Sequence, residues 1–239
     1  MTIQRITDTL IQDLQSLSFK DPVCFVYNPL EYARKPYDLY FEKYGRSPKE
    51  VLLIGMNPGP FGMAQTGVPF GEVDFVKNWL AIEAEVGTPV RTHPKRPIEG
   101  FSCRKSEVSG KRVWGWAKDR LKTTDRFFSQ FLVINYCPLI FLEESGRNRT
   151  PDKLPKTERE SLFAACDKAL METINLYSPK HVIGIGAFAE KRVLSVVNNS
   201  SINVGRILHP SPANPKANKG WADIIETELA EIGISIAID

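Results

Sequence analysis

The chain has 239 residues and a mass of 26.9 kDa, with 42% hydrophobic and 25% charged residues, enough to bury a substantial core within the size range of one domain. No run of about 18 apolar residues occurs, and the N-terminal MTIQRITDTLIQDLQ is amphipathic where a secretory leader would be continuously apolar, so a soluble, intracellular protein with no membrane partner is expected. The net charge is only +3, and the four cysteines (Cys24, Cys103, Cys137, Cys166) and three histidines (His93, His181, His209) have no metal-site spacing, so reduced thiols and neither metal nor cofactor are expected.

In chain order, Ile3, Ile6, Leu10, Leu14 and Leu17 recur at helical spacing and predict an amphipathic helix over about the first 18 residues. The aromatic, proline-punctuated stretch 19–48 reads as irregular. Short apolar runs at 51–54 (VLLI), 131–134 (FLVI), 181–185 (HVIGI) and 204–208 (VGRIL) predict four buried strands. Between and after them, 157–177 opens on an apparent capping box, Thr157-Glu158-Arg159-Glu160, while 187–197 and 221–231 read as further helices. Apolar strands alternating with helices predict a single α/β domain over 1–239: three α/β/α layers around a central, mainly parallel, four-stranded sheet.

One segment departs from this near-neutral background. Residues 91–112 carry Arg91, Lys95, Arg96, Arg104, Lys105, Lys111 and Arg112 against Glu99 and Glu107, a local charge of +5. Such clustering suits a phosphate-facing surface, because each neutralised phosphate releases counterions. A solvated loop would look the same.

Ligands of parallel sheets bind beyond the carboxyl ends of the strands, where loops converge and helix N-termini point. The first exit opens GMNPGPFGMAQTGVPFG at 55–71, in which five glycines and three prolines describe a stiff, bent loop that a flat ligand can approach closely. Its exposed amides suit the carbonyl edges of a heterocycle, with Phe61 or Phe70 to stack on the face, as base-flipping enzymes require. Asn57 can orient a water through its amide but is no strong base. The fourth exit begins His209-Pro210-Ser211-Pro212-Ala213-Asn214-Pro215, where an imidazole could stabilise a departing anion and a proline-stiffened loop could grip a strand through Ser211. A plain connector would also carry such prolines. Asn135, at the second exit, has the donor and acceptor that would read the O4 and N3–H edge of uracil and reject cytosine, or would simply cap a strand end.

These segments resemble the single-strand-selective monofunctional uracil-DNA glycosylases of the uracil-DNA glycosylase superfamily. The resemblance rests on GMNPGPFGMAQTGVPFGEV at 55–73, VINYCPL at 133–139 and HPSPANPKANKGW at 209–221, and the strand–helix order fits that family's fold. It implies hydrolysis of the glycosidic bond of uracil in single- or double-stranded DNA, leaving an abasic site and initiating base excision repair. It further implies that Asn57 positions the attacking water, His209 stabilises the uracil anion, Asn135 reads the base edge, Phe70 stacks, and Met56, Gly59, Phe61, Gly62 and Met63 complete the base pocket.

DNA contacts are expected from Ser211, Pro212, Ala213, Asn214 and Lys216, and from Arg104, Lys105 and Lys111. Related families carry a tyrosine where this chain has Gly59, which implies room beside C5 of the base and admits 5-hydroxymethyluracil. Family members can carry an arginine at the position of Ala213, so a weaker wedge is expected. Tyr136 replaces a histidine that can follow the recognition asparagine, which leaves deaminated purines such as xanthine and hypoxanthine open. With no lysine in 55–71 or 209–215, plain hydrolysis is expected in place of a Schiff base. A noncatalytic nucleic-acid-binding module and a hydrolase of free nucleosides are the competing readings; the basic segment favours a polymer and Asn57 with His209 favours catalysis. Nothing in the sequence demands an oligomer, so a monomer is expected.

Overall fold

The computed structural model describes residues 1–198 and 200–236. Its strands, in chain order, are β1 (Phe25–Tyr27), β2 (Val51–Gly55), β3 (Phe131–Asn135), β4 (Ile140–Leu142), β5 (Asn148–Arg149), β6 (His181–Ile185) and β7 (Asn203–Ile207). The four apolar runs form one sheet in the order β3-β2-β6-β7, with every neighbouring pair parallel. Helices Ile3–Gln15, Lys156–Tyr177 and Ala187–Val196 pack together on it, as do Val108–Leu121, Thr124–Gln130 and Trp221–Glu231, giving the expected α/β/α layering. Leu52, Leu53, Ile54, Val133, Val182 and Ile183 are at most 1% exposed, which is why these runs show no alternation.

The topology places the crevice. The crossover leaving β2 runs to β3 on one side, and the crossover leaving its other neighbour, β6, runs to β7 on the opposite side, so the two diverge at the carboxyl ends of these adjacent strands. Register then sets Gly55 of β2 directly beside Asn135 of β3. The glycine-rich loop and Asn135 are therefore neighbours by strand pairing alone.

The segment 19–48 is not irregular. It contains β1 and the helices Pro29–Tyr32 and Arg34–Tyr44, and β1 joins β4 and β5 in a small antiparallel sheet of order β1-β4-β5. Tyr37, Tyr40, Phe41 and Tyr44 do recur at helical spacing and are all buried. Pro36 disguised the helix, but it stands in the first turn, where no backbone N–H partner is lost.

The capping box at Thr157 does not form. The helix starts at Lys156 with Pro155 as the capping residue and no side-chain cap, because proline already holds the extended entry. Glu158 instead accepts from the Lys20 amide at 3.1 Å. The last strand of the sheet also runs one residue earlier than expected, at Asn203–Ile207.

Candidate active site at the strand exits

At the carboxyl ends of the sheet lies a cleft of about 330 Å³ whose walls include Met56, Asn57, Gly59, Phe70, Asn135 and His209. Each side chain is held from behind. Gly55 has to be glycine: a Cβ there would stand 2.2 Å from Asn135 Oδ1 and 2.6 Å from the Phe70 ring. That absence lets the amide and the ring meet at one point.

Phe70 adopts φ +53, a left-handed conformation that costs a non-glycine residue on the order of 1 kcal/mol or more. The Val108–Leu121 helix imposes it. Trp114 Nε1 donates to the Phe70 carbonyl at 3.1 Å and the Glu72 amide donates to it at 2.7 Å. Gln65, 1% exposed, fixes the rest of the loop: its amide nitrogen donates to the carbonyls of Pro60 and Pro97, and its oxygen accepts from the amides of Glu99 and Gly100. A loop of glycines and prolines is thereby made rigid.

Asn57 Nδ2 donates to the Leu139 carbonyl at 3.2 Å, which leaves Oδ1 as an acceptor for the cleft. Asn135 Nδ2 lies 3.2 Å from Met63 Sδ, a weak acceptor, while its Oδ1 is buried with no hydrogen-bond partner among the described residues. A buried acceptor left unmade costs about 1–3 kcal/mol. It is able to accept from an N–H donor.

His209 Nδ1 accepts from the Ser211 amide at 3.1 Å. An imidazole whose Nδ1 accepts carries its single proton on Nε2, and burial pushes the His209 pKa below its ordinary value. The ring is therefore a neutral donor, as a leaving anion needs.

The loop after His209 is internally tied: Ser211 Oγ accepts from the Ala213 amide, Asn214 Oδ1 from the Lys216 amide, and Asn218 Nδ2 donates to Pro212. Pro212, Ala213 and Lys216 are exposed at its tip. Arg112, counted with the free basic residues in the sequence, instead donates to the Pro210 carbonyl and to Asn218 Oδ1, both at 2.8 Å, and so anchors this loop to the Val108–Leu121 helix. Arg104, Lys105 and Lys111 are exposed.

Two residues named with the pocket, Gly62 and Met63, sit behind its surface, against Glu107 and Asn135 respectively. Phe61 does not join the cleft. Its ring packs beneath Lys105 and Arg96, with the charges 5.0 and 5.4 Å from the centroid, so of the two phenylalanines only Phe70 lines the cleft. Sequence reading also missed four lining residues: Glu107, Ser109, Asn148 and Thr150. Asn148 arrives on β5 of the small sheet, whose Nδ2 donation to Pro58 (3.2 Å) could not be seen without that sheet. Glu107 had registered only as a counter-charge.

A family model described as the uracil DNA glycosylase superfamily matches residues 42–227. Two curated relatives, both named single-strand selective monofunctional uracil-DNA glycosylase, are 46% identical: that of Bos taurus over 227 residues, covering 94% of this chain and 84% of its own length, and that of Rattus norvegicus over 224 residues, covering 93% and 81%. Among solved structures, wild-type SMUG2 of Pedobacter heparinus superposes with a TM-score of 0.66 at 16% identity, covering 95% of this chain and 97% of that one, a likeness of fold.

Proposed function

The chain belongs to the uracil DNA glycosylase superfamily and excises uracil from DNA, and on that premise we propose how its strand exits divide the chemistry. A uracil turned out of the strand stacks on Phe70. The unpartnered Asn135 Oδ1 accepts its N3–H; cytosine has no proton on N3 and would leave that acceptor unmet. The same oxygen is the observation that carries the reading: it is a buried, unpartnered acceptor at the end of β3 beside Phe70, and Asn148 Oδ1 is a second such acceptor on the cleft wall.

As the glycosidic bond lengthens, its electron pair passes to N1 and O2 of the base, and the neutral His209 Nε2–H donates to O2. Positive charge grows on the sugar. Asn57 Oδ1 accepts a hydrogen bond from a water and aims it at C1′; an amide is adequate because an oxocarbenium-like carbon needs no strongly basic nucleophile. Water adds, its proton leaves to solvent, and free uracil and an abasic site remain. Among the described residues none of those lining the cleft is a lysine, which supports hydrolysis over Schiff-base chemistry.

The protein acts as an intracellular monomer on single- and double-stranded DNA, with Ser211, Pro212, Ala213, Asn214 and Lys216 against the strand and Arg104, Lys105 and Lys111 toward phosphates. Ala213 makes the wedge shallow. The space beside Gly59 admits 5-hydroxymethyluracil, and xanthine and hypoxanthine are the deaminated purines to test. Incubated with uracil-containing oligonucleotides in the presence of chelator, the purified protein is expected to release free uracil and leave alkali-labile sites. Intact DNA after prolonged incubation would sink the reading.

A further inference from the structure

Glu107 stands immediately before the Val108–Leu121 helix in extended conformation (φ −99, ψ 109), the position from which a side chain normally caps a helix. It does not cap. The side chain turns onto the glycine-rich loop, where a Cβ on Gly62 would lie 1.8 Å from Glu107 Oε2 and one on Gly59 would lie 2.6 Å from it. Neither glycine has a positive φ, and what a side chain at either position would meet first is the Glu107 carboxyl, which lies directly against both.

The carboxyl is also unspent. No hydrogen bond or ion pair reaches it among the described residues, although it lines the same cleft as Asn57, Phe70, Asn135 and His209. Burial, with a smaller contribution from the Glu72 carboxylate, pushes its pKa up to about 7. An acid held there is able both to donate and to accept.

The orientation of the base decides what it meets. With N3–H at Asn135 and O2 at His209, the C5 edge of the ring is left for the wall of Gly59 and Glu107. We propose that Glu107 is a specificity-determining residue that reads the substituent on C5 of the base: its carboxyl hydrogen-bonds a hydroxyl-bearing substituent and is left desolvated and unpaired by a methyl. This rests on the roles proposed above for Asn135 and His209. The physical basis is an asymmetry: a site built to hydrogen-bond a hydroxyl rejects the analogue lacking it far more strongly than an apolar pocket rejects an extra methyl group.

The test is a single-turnover comparison of 5-hydroxymethyluracil, uracil and thymine in otherwise identical oligonucleotides. Wild-type protein, Glu107→Ala, Glu107→Gln and Asn135→Ala are compared, each checked for folding by its thermal transition. Glu107→Ala is expected to lower the ratio of 5-hydroxymethyluracil to uracil rates by about tenfold, the equivalent of one lost hydrogen bond, and to bring thymine release up relative to uracil. Glu107→Gln, which keeps size and hydrogen-bonding capacity, should hold the ratio within about threefold; it also serves should the alanine variant not fold.

An unchanged ratio in Glu107→Ala, an equal loss in both Glu107 variants, or a wild-type protein inactive on 5-hydroxymethyluracil would each overturn the proposal. A separate result bears on its foundation. If Asn135→Ala leaves the uracil rate intact, the orientation of the base is wrong; if Asn135→Ala is crippled while Glu107→Ala keeps the wild-type ratio, only the role of Glu107 falls.

Discussion

His209 has one polar ring atom committed to its own loop and one free. Replacing it with alanine removes a preorganised donor at the leaving base and should lower single-turnover uracil release by roughly two to four orders of magnitude; a loss of tenfold or less would argue against that role. The ring must be neutral to accept from Ser211, and burial lowers its pKa from the ordinary 6.5, so the acid limb of the rate profile should have its midpoint below pH 6.5. A midpoint above that value would contradict the tautomer. At this scale the sequence was informative for Asn57, Asn135 and His209 because each follows directly on an apolar strand, and a strand end has a predictable place in a parallel sheet. Glu107 follows no strand. Its place depends on where a helix of 14 residues begins and on which loop that helix is pressed against, and neither is a local property of the sequence.

Among the elements, Arg112 joins the loop after β7 to the Val108–Leu121 helix by a two-pronged grip. Arg112→Ala should loosen the loop, seen as faster proteolytic nicking around 210–218 and as a lower rate on duplex substrate. Lys111→Ala and Lys105→Ala, by contrast, should leave the loop intact and flatten the salt dependence of DNA binding by about 0.7–0.9 each if each meets one phosphate. A slope unchanged in both would move the phosphate track elsewhere. The long strands and four of the main helices were legible from apolar runs, periodicity and end signals. The short antiparallel sheet was not, because strands of two or three residues carry no period, and Asn148 and Thr150 were lost from the site with it.

For the molecule as a whole, the burial that builds the cleft also sets its response to pH. His181 and His209 hold protons less tightly when folded, so the unfolded chain binds more of them as pH falls through about 6.5, and folding stability declines on the acid side. Glu107 has the opposite sign. Its folded pKa of about 7 lies above the ordinary 4.5, so the stability it contributes is complete below pH 4.5 and is lost as pH rises through 7. The thermal midpoint of Glu107→Gln relative to wild type should therefore climb between pH 5 and pH 8, and a flat difference would mean that the carboxyl is hydrated. In the core, Leu53, 1% exposed in the central strand, gives the contrasting control: Leu53→Ala should cost about 2–5 kcal/mol by chemical denaturation at any pH in this range.

The Val108–Leu121 helix meets the glycine-rich loop through Glu107 at its start, the Phe70 carbonyl through Trp114, and the loop after β7 through Arg112. On the roles proposed above, one rigid rod thus sets both the grip on the strand and the shape of the pocket. Avidity for DNA and fidelity in choosing a base are therefore not independent quantities here: a substitution that shifts this helix moves both together, and a more tenacious variant selected through it would be expected to surrender discrimination.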